Sequence, residues 1–323
     1  MADSTESHTD IQYLGLLALA LIALIAGLVI HSFIIGVNVT DWWKGRPVTP
    51  VDHIVTSLAI SRIGAQCART LYLYVDKLFL KHLDSPVTLV IIHEIYNIFS
   101  YTNVWLTSLL SVVFCLKISN FHTRLFLYLR GMIVPRTVYF IVATVLLSTF
   151  SCILLSLETI NEVIKDRTYN PIMDNSSLHC TYFISMHNYI IRTFFPHLIY
   201  YISSVLLFTS LYHHTTKMKM SSHLSINLET YYSMMKYVSF TSIYNTLYFI
   251  VEVICVIYFY FFCAFFQWLH VVLGFLPALH SSYLIYRTAK LRSQMSKLLH
   301  NVTDFLFQKK DTETRKDIEV VAL

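Results

Sequence analysis

Apolar residues gather in this chain into long runs, broken by short polar connections that carry most of its charge. Seven runs come close to or exceed the roughly 20 residues that a helix rising about 1.5 Å per residue needs to cross hydrocarbon. They fall at Tyr13 to Val37, Ile54 to Val75, Val87 to Ile118, Val138 to Leu157, Tyr189 to Tyr212, Tyr237 to Tyr258 and Cys263 to Tyr286. The pattern predicts an all-α membrane protein built as a seven-transmembrane helix bundle. The last two runs nearly touch, because Tyr258 to Phe266 is aromatic almost throughout and hides the turn between them. Beyond Tyr286, Leu291, Met295, Leu298, Val302 and Phe305 recur at steps of three and four, with Lys290, Arg292 and Lys297 between them. That spacing predicts a short amphipathic helix in the inner headgroup layer. From Gln308 onward, mixed Lys, Asp, Glu and Arg with few apolar residues predict disorder.

Composition supports the membrane reading: 323 residues that are 55% hydrophobic and only 13% charged do not make a soluble surface. Orientation follows from the basic residues, which are retained on the cytoplasmic side. Connections one, three and five carry Lys44 and Arg46; Lys117, Arg124, Arg130 and Arg136; and Lys217, Lys219 and Lys236. On the opposite side Lys77, Lys81, Lys165, Arg167 and Arg192 are diluted by Asp76, Asp84, Glu158, Glu162, Asp166 and Asp174. The alternation predicts a single domain, with residues 1–12 extracellular, 13–286 forming the bundle and 287–323 a cytoplasmic tail. The net charge of +5 is then a signature of topology, and no nucleic acid partner is expected. The first ten residues hold Asp3, Glu6 and Asp10 but no Lys or Arg, so the first helix is expected to act as its own uncleaved insertion signal. Asn175-Ser176-Ser177 lies in the longest outer connection and is the glycosylation sequon expected to be used. The similar triplets at Asn38 and Asn301 are expected to face the cytoplasm. The six cysteines show no metal or disulfide spacing, and only Cys180 stands plainly in a loop.

Several blocks are recognisable in order. His31-Ser32-Phe33-Ile34 is followed by Asp41-Trp42-Trp43-Lys44-Gly45-Arg46, Val51-Asp52 and Leu58-Ala59-Ile60-Ser61-Arg62. A second group runs from Val104-Trp105-Leu106 through Phe114-Cys115-Leu116-Lys117-Ile118-Ser119-Asn120-Phe121 to Phe126-Leu127-Tyr128-Leu129-Arg130. Weaker agreement follows at Ser210-Leu211-Tyr212-His213-His214 and at Leu276-Pro277-Ala278-Leu279-His280-Ser281. Together these resemble the bitter taste (type 2 taste) receptors, a family of G-protein-coupled receptors. The chain departs from the family pattern at His31, where relatives have Asn, at Phe114, where they have Tyr, and at Thr288, where they have Asn. The bridge that staples the second outer loop to helix three in many seven-helix receptors is also absent, since no Cys lies between Cys67 and Cys115.

The resemblance implies a plasma-membrane chemosensory receptor. A small-molecule agonist would bind among the outer halves of helices three, five, six and seven. The inner face would engage a heterotrimeric G protein of the gustducin or inhibitory class. It implies no cofactor, no bound metal and no catalysis; membrane lipid, a sterol included, completes the expected partners. Lys117, His214, His280 and Ser281 fall in blocks that the resemblance assigns to activation and G-protein coupling, together with Arg62, which relatives use to tie helices one, two and seven.

Ionisable side chains at membrane depth cost a few kcal/mol each and so require an explanation. Arg69 lies two turns beyond Arg62 on the stripe that also holds Gln66, and is expected to face the bundle. Thr241, Asn245, Tyr248 and Glu252 recur at steps of four, three and four, an inward polar stripe with Glu252 outermost. By resemblance His270 falls at a pocket-facing position, and Tyr96 and Ser100 align with residues that bind ligands in relatives. Those two share a face four residues apart, with His93 beside them. Two readings of Glu252 stand: an anchor for a cationic ligand group, or a structural partner of Arg69 or His270. Glu94 points away from Tyr96 and Ser100 and is expected to meet a loop or a neighbouring helix.

Other classes fit less well. A retinal protein needs a Lys in the seventh run, which has none, and adjacent His213 and His214 lack the spacing of a zinc hydrolase. No paired halves suggest a transporter. A vomeronasal-type pheromone receptor is the alternative chemosensory reading, and the ordered blocks above favour taste.

Overall fold

The structure is a computed structural model and describes residues 2–76, 86–119, 121, 123–169, 190–220, 225–262 and 267–321. Among them the chain forms helices α1 (Ala2–Trp43), α2 (Pro50–Tyr74), α3 (Pro86–Ile118), α4 (Arg124–Ile133), α5 (Thr137–Tyr169), α6 (Phe195–Met220), α7 (Ser225–Phe262), α8 (Gln267–Arg287) and α9 (Ala289–Val321). A single π-helical turn, Ile190–Phe194, leads into α6. Seven of these helices correspond to the seven apolar runs; α4 is a short piece between α3 and α5, and α9 is the tail. Five, the spans Leu14–Trp43, Thr88–Ile118, Thr137–Leu154, Arg192–Lys219 and Glu229–Tyr258, are long and apolar enough to cross a membrane on their own composition. The two others, α2 and α8, carry polar side chains, Arg62, Gln66, His280 and Ser281 among them, that are buried against neighbouring helices. Such helices enter lipid only as members of a bundle.

Helix α3 sits centrally, against α2, α5 and α6, while α1 lies against α2 and α8. The lipid-facing sides stay apolar: Leu146 and Phe150 of α5 and Val205 of α6 are exposed. The main core, around Ile54, Leu58, Leu106 and Val113, lies towards the end of the bundle that carries the basic connections. Ser111 of α3 contacts Ser203 and Ser204 of α6 at 2.7 and 3.0 Å, small hydroxyls that let the two backbones approach.

The first connection is built for rigidity. Gly45 takes a positive φ of 67°, and Pro50 opens α2 behind a Thr49–Asp52 capping box. Lys290, at the start of α9, binds Asn38 Oδ1 at 2.9 Å and pairs with Asp41 at 2.9 Å and Asp52 at 3.5 Å. The tail is thereby clasped to the first connection.

Two expectations are corrected. The tail does not stop being helical at Gln308: α9 runs to Val321, because Gln, Lys, Glu and Arg are good helix formers and no Gly or Pro interrupts them. Arg192, read as an outer-connection charge, is instead buried at the head of the α6 span. Asn175, Cys180 and Cys263 lie outside the described residues, as does the turn between α7 and α8.

Candidate functional site

At mid-bundle, Arg62 is only 2% exposed, and its guanidinium is tied to two other helices. Its Nε donates to Asn103 Oδ1 at 3.0 Å, and one terminal nitrogen reaches His280 Nδ1 at 3.1 Å and Ser281 Oγ at 2.6 Å. His31 Nε2 meets the same Ser281 hydroxyl at 3.0 Å. Four helices, α1, α2, α3 and α8, thus meet at one cation, and the planar fork of Arg explains how one side chain serves them. The amide of Gln66 donates to the carbonyl of Gly274 at 2.8 Å, one turn further out. The His280 ring packs on Tyr244 of α7 at 4.6 Å, extending the junction to a fifth helix.

Towards the end of the bundle away from the basic connections, Arg69 donates to the Tyr96 hydroxyl and lies over its ring at 4.5 Å. Tyr96 contacts His93, which contacts Tyr72, so these side chains form one aromatic chain between α2 and α3. Arg69, Tyr96 and Ser100 border one cavity, floored by Arg62 and Asn103 and closed by Tyr248 of α7 and Pro277 of α8. Its neighbour, beyond Asn103, is bounded by His197 and Tyr200 of α6 and by Asn245. Each has room for about one water molecule. Thr241, Asn245 and Tyr248 are buried, as their spacing predicts. Glu252 is less enclosed than these, but its Oε2 is buried without a hydrogen-bond partner. It lies within electrostatic reach of Arg69 without forming an ion pair with it among the described contacts. His270 lies in the first turn of α8, and its side chain is outside the described set.

The residues assigned to coupling separate into two places. His280 and Ser281 belong to the Arg62 junction. Lys117 is exposed at the end of α3, and His214 stacks on Tyr231 of α7 with ring centroids 4.8 Å apart. In the same region Tyr237 lies parallel to Tyr283 at 6.0 Å and edge-on to Phe114. Arg287 binds the Tyr283 hydroxyl at 2.9 Å and Ser233 at 3.1 Å, joining the ends of α7 and α8.

A family model described as Taste receptor protein (TAS2R) matches residues 9–303. The chain belongs to this taste receptor family. Taste receptor type 2 member 13 of Pan troglodytes is 28% identical over 284 residues, 83% of this chain and 90% of that protein. Taste receptor type 2 member 125 of Rattus norvegicus is 31% identical over 206 residues, 62% of this chain and 64% of the relative. Member 43 of Papio hamadryas is 28% identical over 206 residues, 62% of this chain and 65% of the relative. Against the last two, the chain spans a little under two thirds of their length. The receptor is therefore a multi-pass membrane protein with the seven-helix bundle of the G-protein-coupled class, and its family is one of receptors rather than enzymes.

Sequence reasoning missed two residues that matter here. Asn103 completes the Arg62 junction, and the signal that could have found it is the buried stripe of Asn97, Ser100, Asn103 and Thr107 at steps of three, three and four. Arg192 sits at the polar edge of its run, where a basic residue reads as a loop charge.

Proposed function

We propose that this receptor detects bitter small molecules in the outer half of the bundle and passes the signal to a heterotrimeric G protein of the gustducin or inhibitory class. The observation that carries the reading is the family match across residues 9–303. Tyr96, Ser100, His93, Arg69, Glu252 and His270 supply the ligand contacts. Each of these cavities has room for only about one water molecule, so an agonist must favour a more open arrangement that the bundle already samples. Opening shifts Tyr248 and Pro277 relative to α3, and the Arg62 junction, one turn below, carries that shift to α7 through His280 and Tyr244. Lys117 and His214 then meet the G protein at the inner face. Membrane lipid, a sterol included, surrounds the exposed apolar faces.

Glu252 is the anchor for a cationic ligand group, and its enclosed, unpartnered oxygen favours this over a structural pair with Arg69. Glu252→Gln is expected to weaken cationic agonists about 10- to 100-fold, as befits a hydrogen bond to a charged group worth about 1.5–3 kcal/mol. Calcium responses in cells carrying a promiscuous G protein measure this; unchanged potency at equal surface expression overturns the anchor.

The N-terminus faces outside and the tail the cytoplasm of a cell whose plasma membrane holds the receptor. Glycosidase treatment is expected to shift the mobility of the wild type and leave Asn175→Gln unmoved. A shift that survives the substitution contradicts this orientation.

A further inference from the structure

One charged group in the outer half has no role in the contacts described so far. Arg192, in the π turn before α6, is 2% exposed, and beyond its approach to Tyr101 none of its three guanidinium nitrogens makes a well-formed hydrogen bond among the described residues. It lies 4.9 Å over the ring of Tyr101, from α3. Glu94, two turns earlier on α3, is within electrostatic reach, but its enclosed Oε2 is likewise unpartnered and no ion pair joins the two. Tyr101 in turn lies between the fields of Arg192 and Glu252. Arg192 therefore lies against Tyr101, and Glu252, which also has an unfilled hydrogen-bonding atom, acts electrostatically on the same tyrosine from α7. Buried charges are ordinarily paired, and a guanidinium carries five N–H donors in a fork that fits a carboxylate.

We propose that Arg192 is a second ligand anchor and that the receptor's preferred agonists are zwitterions with an apolar body, whose carboxylate binds Arg192 while their ammonium group binds Glu252. The inference rests on the outer-half binding reading above and adds to it the ligand's second charge. A zwitterion suits this region better than a purely cationic ligand. Arg192 and Glu94 oppose one another, as do Arg69 and Glu252, so a net-charged guest leaves one charge uncompensated in a low-dielectric interior. A guest carrying both signs keeps the balance and supplies each unpartnered group with a direct bond. Tyr96, Tyr101 and Tyr248 offer aromatic surface to the apolar body, and Tyr101, already under the guanidinium, holds it in place.

The test uses full-length receptor in cells with a promiscuous G protein, and four probes: leucyl-tryptophan, its methyl ester, its N-acetyl derivative, and the doubly blocked N-acetyl methyl ester. The dipeptide is expected to be at least about tenfold more potent than either singly blocked form, since each block removes one charge-assisted bond. Arg192→Gln is expected to erase the difference between dipeptide and methyl ester while leaving the ester's own potency within about threefold. Arg192→Lys, which keeps the charge and loses the fork, is expected to restore part of the difference. Surface expression is measured for each variant. Equal potency of dipeptide and ester on the wild type overturns the inference, as does an Arg192→Gln variant that reaches the surface and weakens all four probes alike. Activation of the same cells by cationic or neutral bitter compounds, with no response to the dipeptide, sinks the inference alone. Silence towards both kinds of compound sinks the bitter-receptor reading with it.

Discussion

Replacing Arg62 with alanine is expected to remove most of the receptor from the cell surface. The guanidinium is the shared partner of Asn103, His280 and Ser281, and Ser281 also serves His31, so its loss strips direct bonds from α3 and α8 at once and leaves α1 joined through Ser281 alone. Breaking a buried charged network by deleting one member costs about 3–5 kcal/mol, against a total stability of about 5–15 kcal/mol for an ordinary domain. Arg62→Lys is expected to recover only part of the loss, because an ammonium group is a point charge that cannot reach Asn103 on one side and His280 with Ser281 on the other in a single plane. Flow cytometry of an N-terminally tagged receptor, with thermal unfolding in detergent, measures both. Normal surface level and melting temperature for Arg62→Ala would mean that the junction is dispensable.

Gly27→Ala is expected to destabilise the bundle although alanine is the better helix former. A methyl group at Gly27 would occupy the space now filled by the Gln66 amide, which crosses from α2 to the Gly274 carbonyl on α8. The helix-propensity gain of about 1 kcal/mol is opposed by about 1–3 kcal/mol of overpacking and about 1 kcal/mol for the displaced hydrogen bond. The double variant Gly27→Ala with Gln66→Ala is expected to be more stable than Gly27→Ala alone, since it removes the collision and leaves Gly274 its place in the helix. Thermal unfolding of the singles and the double reads the coupling. A double variant that simply adds the two losses would show that Gln66 and Gly27 do not compete for space.

Much of the bundle was legible because membrane helices advertise themselves locally. The apolar runs placed α1, α2, α3, α5, α6, α7 and α8, and the boundary they left obscure, near Phe262 and Gln267, is one where aromatic residues continue through the sequence between the two helices. The stripe of Thr241, Asn245 and Tyr248 faces inward because a helix in a bundle buries its polar side. Arg62 announced itself through the cost of a cation at that depth. The tail was misjudged where composition and propensity point different ways: from Gln308 the residues are too polar for a core but suit a helix, and helix is what forms.

What the sequence determined by itself is the seven apolar helices, the separation of basic from diluted connections, and which residues must avoid lipid, because each depends on a transfer cost that a residue bears wherever its neighbours lie. Only the tertiary structure decided which partner each polar group found: Asn103 and Ser281 for Arg62, Tyr96 for Arg69, Lys290 for Asp41, and an unfilled fork for Arg192. Those pairings join residues as far apart as Asn38 and Lys290, and they depend on helix rotation and depth, which packing sets and a single helix's pattern does not carry.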